Sequence, residues 1–545
     1  MITDQQTLRI LITGGRAPVA LEWCRLLHAA GHEVYVAESF PQPLCRYSNT
    51  VRRCYSVPAP RQQTVAFLSE LERIVCQEQI DLLLPTCEEI FHIAGGLESL
   101  SKHVRVISPM LTQLHRLHHK GAFIELVRAA GLLLPDTVLL ENEQQWRQTQ
   151  LQAWQDGRPI VLKPAYSRFA SQVWLPPESY TGGTRKAELT KGAERELEKG
   201  SLSELRVKQE AEQGLKLELK PEARHRFGLK TELGSETGIE VETETGRKSG
   251  TKREINPKIN PKINPKINPE VKRIHTSSTA SPSLNASNSG RWNSYHAPPP
   301  ATLSKQQPWI AQQFIAGEQI CTYSIVHEGT VVAHATYRCR YRNSRAGASV
   351  HFEALERPDT LEWVQTLMSR WNELDNEQQD DEDVMRSSDA LRRLHRFNGQ
   401  LSFDLIEQQY TGKLYPLECN PRATSGVHLF RPEDGLEQAL LHPAELVANG
   451  TIIQPQPGRR VMLTLPMLVS GLGRRWSRQQ WRQWRESLRS AEDAIYRHYD
   501  RMPAYGQLRL LWAAWRISRR ERISIVEALT HDIEWNGIDA GSERS

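Results

Sequence analysis

The sequence lacks the cysteine spacing, the long apolar runs and the signal peptide that mark several common classes of protein. Its 545 residues include eight cysteines, but none forms a CxxC pair or follows the ligand spacing of a zinc site. Without a run of roughly 18 or more apolar residues, no integral membrane segment is predicted. Scattered cysteines in a long chain without a secretory signal predict a reducing environment, and the expected location is the cytoplasm.

Lysine is also absent from residues 474–522, although this stretch carries 13 arginines against five acidic residues. Apolar side chains recur there at alternating spacings of three and four, which predicts a helix with one buried stripe. The stripe consists of Trp481, Trp484, Leu488, Ala491 and Ile495. Packing on the core or a homodimer contact is the main interpretation of this region. An anionic membrane surface or a nucleic acid is the alternative, and nucleic acid is the less expected of these partners.

Short apolar stretches alternate with helical patterns in residues 1–108. LRILI, EVYVA, DLLLP and VRVIS are predicted strands, and helices are predicted over 17–30, near 64–77 and near 88–100. Such alternation predicts a parallel α/β sheet of the Rossmann-like kind. Gly14-Gly15 follows the first strand without completing a GxGxxG fingerprint, so it is interpreted either as a phosphate-binding turn or as a simple tight turn.

The stretch LSFDLIEQQYTGKLYPLECN combines two apolar strands with polar residues at selected positions. A hairpin turn at QYTGK would place Asp404 directly opposite Glu418. The same register pairs Phe403 with Cys419 and Leu405 with Leu417. Because side chains alternate faces along a strand, Asp404, Glu418 and Asn420 are expected on one face and the apolar residues on the other.

The opposed carboxylates of this hairpin need an explanation. Like charges across a hairpin are destabilising unless a cation lies between them or one carboxyl group has a raised pKa. Oxygen ligands favour a hard cation, so Asp404, Glu418 and Asn420 are predicted to hold Mg²⁺ or Mn²⁺. Arg422 follows with a planar fork that suits a phosphate or a carboxylate. The alternative is a solvated outer face of an edge hairpin.

Three further segments differ from their surroundings. Lys163 ends the apolar stretch PIVLK before a loop of small residues with Arg168, and is either a phosphate contact or a solvated charge. Residues 179–306 include INPKINPKINPKINPE, in which a proline at every fourth position prevents a helix or a sheet ladder. That segment is predicted to be disordered. The cluster HRLHH at 115–119 is interpreted as a helix surface or as a metal site.

The order of these motifs resembles that of the ATP-grasp superfamily. An α/β domain is followed by Lys120 in HHKGAF, a lysine at a strand end, the segment QQFIAGEQ, and Asp404 separated by 13 residues from Glu418-x-Asn420. Within the superfamily, the chain is similar to single-copy relatives of carbamoyl-phosphate synthase large chains. It is also similar to the ligases that join glycine to a cyclohexenone in mycosporine biosynthesis. HAAGHEVYVAES, RYSNTVRRCYSVPAP, PWIAQQFIAGEQICTYS and LECNPRATS carry the resemblance, which covers roughly residues 8–178 and 307–435.

The resemblance implies roles for individual residues of this sequence. Lys120 and Lys163 are expected to hold ATP phosphates, and the metal ligands coincide with the three polar residues of the hairpin. Arg422 is expected to contact the transferred phosphoryl group or an acyl phosphate, and Arg422 and Lys163 are the expected catalytic residues that stabilise the phosphoryl group during transfer. The implied cofactors are therefore ATP and Mg²⁺ or Mn²⁺.

A hinge segment is implied for the adenine and ribose parts of ATP. The backbone of Gln313, Phe314 and Ile315 is expected to meet the adenine ring. Many members of the superfamily carry Glu two residues after the hinge glycine, where it binds ribose hydroxyls. Gln319 occupies that position here and Glu318 precedes it, so this chain departs from the pattern.

The predicted fold class is α/β (α+β), divided into five segments. These are residues 1–108, a Rossmann-like pre-ATP-grasp domain; 109–178, the first part of an ATP-grasp core of two α+β subdomains; 179–306, the disordered insertion; 307–440, the second part of the core with the metal site; and 441–545, a mostly helical Arg/Trp-rich C-terminal extension.

The predicted function is that of an ATP-dependent ligase. ATP would phosphorylate a carboxylate or an enolisable carbonyl, and an amine would then displace phosphate to form a C–N bond. The predicted partners are a small-molecule acid or carbonyl compound and an amine. The alternative is an ATP-binding protein with a regulatory role and no turnover.

Overall fold

The structure, a computed structural model, describes residues 6–166, 172–176, 299–342, 349–379, 396–471 and 476–537 of the chain. Most of the predicted disordered insertion, from 179 to 298, lies outside the described residues. Arg168 in the loop after Lys163 lies outside them as well. Within the described ranges, the strands form three sheets.

The first sheet has five parallel strands in the order β3-β2-β1-β4-β5. Its strands are β1 Arg9–Thr13, β2 Glu33–Glu38, β3 Arg53–Ser56, β4 Leu82–Leu84 and β5 Arg105–Val106. Its helices are α1 Pro18–Ala29, α2 Thr64–Glu78, α3 Glu89–Gly95 and α4 Leu97–Leu100, with a 3-10 turn at Leu44–Tyr47. The central strand β1 is almost wholly buried, as expected when helices cover both faces of a parallel sheet. The predicted parallel α/β sheet is confirmed, whereas β3 is too short and polar for its pattern to indicate a strand.

The Gly14-Gly15 turn after β1 is tightly packed. Gly14 has a φ of +78°, and a Cβ atom on it would lie 2.6 Å from Thr86 Oγ1. A Cβ atom on Gly15 would lie 2.5 Å from Val36 Cγ1. These contacts support a tight turn that requires glycine, and the phosphate-binding turn stays a prediction.

A second sheet contains three antiparallel strands in the order β6-β8-β7. The strands are β6 Thr137–Leu140, β7 Ile160–Pro164 and β8 Trp309–Gln313, and the neighbouring helices are α5 Leu111–His118, α6 Lys120–Ala129 and α7 Glu143–Gln155. Trp146, Trp174 and Trp309 pack against one another beside this sheet. The sheet holds Lys163 on β7, and α6 begins with Lys120.

The third sheet has seven strands in the order β13-β12-β9-β10-β11-β14-β15. They are β9 Gly317–His327, β10 Thr330–Arg342, β11 Ser349–Leu355, β12 Gly399–Gln408, β13 Leu414–Asn420, β14 Arg460–Met462 and β15 Glu492–Asp493. Neighbours are antiparallel except for β14 and β15, which are parallel. Helix α8, Pro358–Gln379, packs on this sheet through Trp363, Leu367 and Trp371. This sheet carries the predicted metal hairpin as β12 and β13.

The β12–β13 hairpin has the predicted register at its polar end. Asp404 pairs with Glu418, and Phe403 pairs with Cys419. Gly412 in the turn has a φ of +66°, a conformation that favours glycine. Phe403 and Cys419 are buried, so the apolar face of the hairpin lies in the core as expected.

The predicted pairing of Leu405 with Leu417 is wrong. Leu405 pairs with Pro416, because a β-bulge next to Asp404 leaves Leu417 as an extra residue on β13. The prediction that Leu417 points to the apolar face is also wrong, since Leu417 borders the same cavity as Glu418. A regular two-residue alternation cannot reveal a bulge, and the bulge decides the geometry at this point.

The C-terminal region is mostly helical, as predicted. Its helices are α9 Gln438–Leu441, α10 Pro443–Ala448, α11 Thr464–Gly471, α12 Arg478–Ser490, α13 Met502–Glu521 and α14 Ile525–Ala528, after 3-10 turns at Ser425–Leu429 and Pro432–Asp434. Strands β14 and β15 also come from this region and extend the third sheet, which the sequence did not indicate. None of the helices in the described ranges is both long and apolar enough to cross a bilayer.

The predicted apolar stripe over 481–495 needs correction. Helix α12 ends at Ser490, so the last two stripe residues lie beyond it. Trp484 is buried, whereas Trp481 is 39% exposed. Ile495 joins a different cluster of buried residues from Trp484. The stripe breaks because β15 pairs with β14 directly after the helix, which requires an extended backbone.

Two buried arginines of the N-terminal part bind carboxylates of the C-terminal part. Arg16 donates from Nη2 to Asp532 Oδ2 over 2.8 Å and from Nε to Glu38 Oε1 over 3.1 Å. Arg25 donates from Nε to Asp500 Oδ2 over 2.9 Å. The C-terminal helices are therefore docked on the N-terminal sheet by paired, hydrogen-bonded charges.

Candidate functional site

A cavity of about 1030 Å³ lies where the second and third sheets meet. Its walls are β7, the segment that joins β8 to β9, and the β12–β13 hairpin. The predicted site residues that line it are Lys163, Gln313, Phe314, Ile315, Glu318, Gln319, Asp404, Glu418, Asn420 and Arg422. The volume is of the size that binds small molecules and cofactors. Residues from both sides of the predicted insertion thus come together in one place.

The two carboxylates of the hairpin have different environments. Burial, together with the neighbouring charge of Glu418, raises the pKa of Asp404 to about 6. Burial alone would also raise the pKa of Glu418, but Lys120 and Lys163 hold it below its ordinary value. The two carboxylates therefore repel each other. The lysines offset this repulsion for the charged form of Glu418, whereas the charged form of Asp404 stays destabilised.

Two buried lysines face this carboxylate pair. Lys120 is 2% exposed and its Nζ lies 3.3 Å from Glu418 Oε2. Lys163 is 6% exposed and its Nζ donates to the carbonyl oxygen of Leu417 over 3.1 Å. Burial, with the nearby charge of Lys120, lowers the pKa of Lys163 to about 8, although Glu418 counteracts this effect. Burial destabilises the charged form of such a lysine, and an anion that binds next to it stabilises that form.

The β-bulge supplies the contact of Lys163. As the extra residue of the bulge, Leu417 lies outside the regular ladder, so its carbonyl oxygen can accept from a side chain. The lysine of one sheet is thus tied to the hairpin of the other. Sequence reasoning identified the lysine and the hairpin but could not join them.

Helix α6 places Lys120 at its first turn. The ring Nδ1 of His119 accepts from the backbone N–H of Ala122 and caps the helix. The backbone N–H of Lys120 donates to Ala165 O over 3.1 Å, which ties α6 to the end of β7. Both lysines are therefore held by the same junction of helix and strand.

The predicted histidine cluster at 115–119 is neither a plain helix surface nor a metal site. His118 is buried, and its burial, followed by the charge of Lys120, holds its pKa well below the ordinary value. The ring of His119 packs against Tyr166 with the centroids 4.9 Å apart. Among the described residues, no group of three or more His, Cys, Asp or Glu side chains could hold a metal ion. These histidines instead form part of the local environment of Lys120.

Arg422 lies just beyond the strand that carries Asn420. Its Nη2 donates to Asn420 Oδ1 over 3.1 Å, and the same nitrogen lies 3.7 Å from Glu88 Oε1 of the N-terminal part. Glu88 is buried and was not identified from the sequence. The available signal was an acidic pair, Glu88 and Glu89, directly after the carboxyl end of a parallel strand, where functional residues collect in α/β sheets.

The backbone N–H groups of the first two residues of the predicted hinge segment already donate hydrogen bonds. The N–H of Gln313 donates to Asp136 O over 2.7 Å, and that of Phe314 donates to Pro159 O over 2.9 Å. Ile315 is largely buried and borders the cavity. Contact with an adenine ring would therefore fall to the other backbone groups of the segment.

The two residues at the predicted ribose position bind arginines of β10. Glu318 Oε1 lies 3.4 Å from Arg338 Nε, and Gln319 Oε1 accepts from Arg342 Nη2. Gln319 also donates from Nε2 to Cys321 Sγ over 3.5 Å. Strand β10 therefore orients both side chains at the edge of the cavity.

A pair of thiols also borders the cavity. Cys321 on β9 and Cys339 on β10 have their sulfur atoms 3.8 Å apart. Sequence reasoning missed this pair because its members are far apart in sequence and only strand pairing brings them together.

The polar face of the hairpin is compatible with a hard cation. It presents two carboxylates and the amide oxygen of Asn420, and the raised pKa of Asp404 reports repulsion that a cation would relieve. Asn420 Oδ1 already accepts from Arg422, which leaves that oxygen a second lone pair. The donor set therefore fits Mg²⁺ or Mn²⁺ better than a softer metal.

The chain has weak structural similarity to several solved structures. A carboxyaminoimidazole ribonucleotide synthase from Aspergillus clavatus, complexed with ATP, has a TM-score of 0.43 and 9% identity over 84% of this chain and 82% of that chain. An N5-carboxyaminoimidazole synthetase from Staphylococcus aureus, complexed with ADP, has a TM-score of 0.42 and 10% identity over 85% of this chain and 82% of that chain.

An L-amino acid ligase from Bacillus licheniformis has a TM-score of 0.37 and 11% identity over 78% of this chain and 69% of that chain. No family model and no curated protein sequence matches the chain. With TM-scores this low, the similarities assign neither a reaction nor site residues to this protein.

Proposed function

We propose that this protein is an ATP-dependent ligase of the ATP-grasp type. The observation that carries the proposal is a carboxylate pair that lines one cavity with Lys163 and the predicted hinge segment, and that the buried Lys120 contacts through Glu418. The pKa of Lys163, lowered to about 8, and that of Asp404, raised to about 6, show that the charged forms of both groups are destabilised here. Groups with pKa values perturbed in this way are typical of sites that bind charged ligands.

Lys120, Lys163 and Arg422 would bind the anionic groups. The two lysines meet phosphate oxygens of ATP, and the guanidinium of Arg422 forms a planar fork for the phosphoryl group in transfer. A substrate carboxylate oxygen attacks the γ-phosphorus and the bond to ADP breaks, which yields an acyl phosphate. An amine nitrogen then attacks the acyl carbon, phosphate leaves, and the nitrogen loses a proton.

Asp404, Glu418 and Asn420 would hold Mg²⁺ or Mn²⁺. When bound, the ion neutralises charge between the β- and γ-phosphates. Lys120, which lies 3.3 Å from Glu418, would keep that carboxylate ionised and oriented towards the cavity. Gln313, Phe314 and Ile315 would receive the adenine ring, and Glu318 or Gln319 the ribose.

The proposal includes the division of the chain into the five segments 1–108, 109–178, 179–306, 307–440 and 441–545. Its substrates are a small-molecule acid or carbonyl compound and an amine. The closer resemblance to carbamoyl-phosphate synthase large chains and to the ligases of mycosporine biosynthesis stays a prediction.

The test is ADP release by the full chain with Mg²⁺ and ATP against a panel of carboxylic acids and amines. We expect release that depends on both an acid or carbonyl compound and an amine, with the ligated product seen by mass spectrometry. The Asp404→Asn variant should bind nucleotide without releasing ADP. Binding of ATP with no ADP release for any pair would contradict the ligase proposal.

A nucleotide-binding protein without turnover is the second candidate. The observation that favours it is the occupation of the ribose position, where Arg338 and Arg342 bind Glu318 and Gln319. This candidate predicts that calorimetry detects ATP binding and that no acid or amine increases ADP release. The same panel therefore decides between the two candidates.

A further inference from the structure

Helix α13 has two faces of opposite character. Gly506, Leu510, Ala513, Ala514 and Ile517 form its inner face and are buried against the rest of the protein. The inner face is closely fitted, because a Cβ atom on Gly506 would lie 2.4 Å from Cδ2 of Tyr47. The helix is therefore firmly seated, and its orientation fixes which residues face outward.

The outer face of α13 is apolar and uncovered within the described chain. Tyr505, Leu508, Trp512 and Trp515 recur at spacings of three and four, and are 65%, 65%, 56% and 48% exposed. Ten of the twenty exposed large hydrophobic side chains of the described residues lie between 496 and 526. Single exposed apolar residues are normal on a protein surface, but a concentration of this kind marks an interaction site.

The charged side chains of the same helix are arginines except for its last residue. Its charged residues before the terminal Glu521 are Arg509, Arg516, Arg519 and Arg520. The guanidinium of Arg516 lies over the ring of Trp512 at 4.8 Å, and that of Arg519 lies over the ring of Trp515 at 5.8 Å. Aromatic and aliphatic side chains are thus interleaved with arginines on one outward surface.

Charge complementarity selects the kind of partner. A second copy of the chain packed through this face would bring arginines against arginines, because none of the residues that form the face is acidic. A single-stranded nucleic acid would need free ring faces for stacking, whereas arginines already lie over the two tryptophans. Leu508 and Leu511 offer no stacking face at all.

An anionic lipid surface satisfies each feature of this face. Leucine and tryptophan side chains insert at the boundary between headgroups and acyl chains, while arginines bind anionic headgroups. We propose that the outer face of α13, formed by Tyr505, Leu508, Trp512 and Trp515 with Arg516 and Arg519, docks the protein on an anionic bilayer surface. The docking is peripheral and leaves the cavity of the candidate site untouched.

The test is flotation of the full chain with vesicles of phosphatidylcholine, with and without phosphatidylserine. We expect binding to the vesicles that contain phosphatidylserine and weakening at high salt. Trp512→Ala/Trp515→Ala and Arg516→Glu/Arg519→Glu should each weaken that binding by about tenfold or more. If the tryptophan variant does not fold, as judged by its melting temperature, the arginine variant decides.

Helix α7 provides matched controls. Leu151→Ala alters an apolar side chain that is 48% exposed, and Arg147→Glu reverses an arginine that is 68% exposed. Both should bind vesicles like the wild type. Equal weakening by the controls, or no vesicle binding by the wild type, would overturn the proposal.

Two further measurements test whether a nucleic acid or a second copy of the chain binds the outer face of α13. Fluorescence anisotropy with a single-stranded oligonucleotide and light scattering for self-association should show no effect of the α13 variants. Oligonucleotide binding or dimer formation that depends on Trp512 and Trp515, without vesicle binding, would assign the face to a nucleic acid or to a second copy and overturn the proposal.

Discussion

The protein contains two groups of buried or half-buried charges that differ in how well they are paired. Arg16 binds Glu38 and Asp532, and these pairs join the N-terminal sheet to the C-terminal region. Lys163 lies beside a carboxylate pair in the cavity and donates a hydrogen bond to the carbonyl oxygen of Leu417, while Asp404 lies opposite another carboxylate. Arg16 and Lys163 are both buried, whereas Asp404 and Glu418 are half-buried on the cavity wall, so burial alone does not distinguish the two cations.

The pKa shifts show that the two groups differ in how far their charged forms are stabilised. Burial alone would lower the pKa of Arg16, but Glu38 and Asp532 together raise it above the ordinary value. Burial lowers the pKa of Lys163 to about 8 and, with Glu418, raises that of Asp404 to about 6. The protein thus stabilises the charged form of Arg16, whereas it destabilises the charged forms of Lys163 and Asp404 in the cavity. The first arrangement supports the fold, and the second is typical of sites that bind charged ligands.

The largest effect on stability is expected for Arg16, whose ion pairs hold the C-terminal region on the N-terminal sheet. Arg16→Met leaves Glu38 and Asp532 buried without a cation, so the free energy of unfolding should fall by about 3–5 kcal/mol. Thermal and urea unfolding measure the change. Arg73→Met is the control, since Arg73 and Glu70 form an exposed pair on α2. A similar loss of stability in both variants would contradict the structural role of Arg16.

Removing a charge from the cavity should affect turnover and spare the fold. Asp404→Asn and, separately, Glu418→Gln should each lower ADP release by about a hundredfold or more. Asp404→Asn should leave the melting temperature unchanged or raise it, because it removes like-charge repulsion. Wild-type turnover in both variants would refute the metal assignment, and unfolding of Asp404→Asn would refute the contrast between the two charge groups.

Lys163 and Arg422 should differ in the kinetic constant that they affect. Lys163→Ala should weaken ATP binding, since this lysine meets phosphates in the ground state. Arg422→Ala should lower kcat by roughly tenfold to a hundredfold, since it contacts the group in transfer. Steady-state kinetics at saturating Mg²⁺ measure both. If Arg422→Ala raised only the KM for ATP, its role would be that of an anchor for bound nucleotide.

The smallest effect is a dependence of ATP binding on pH. With a pKa of about 8, Lys163 loses its proton as the pH rises through that value, whereas a bound phosphate requires the charged form. The Kd for ATP should therefore increase by about tenfold between roughly pH 7 and pH 9. Lys163→Arg should remove most of this increase, because arginine stays protonated over that range. Calorimetry on both proteins at each pH makes the comparison, and an equal increase in both would assign the dependence to another group.

The strands and helices that carry the site were largely predictable. Alternating apolar stretches predicted the parallel N-terminal sheet, and the alternation around Asp404 and Glu418 predicted their pairing across the hairpin. These predictions succeed because strand periodicity and turn chemistry are local properties of the chain. Leu417 shows their limit, since a bulge shifts the alternation without any change in composition.

The α/β class, the polar face of the hairpin and the lysines at a strand end and a helix start could all be deduced from the order of the residues. The packing of distant segments decided that Lys120 binds Glu418, that Arg422 lies near Glu88, and that no other described residue covers the outer face of α13. The physical reason is the range of the interactions. Periodicity is set by neighbours along the chain, whereas ion pairing and burial depend on which distant segments pack together and exclude water.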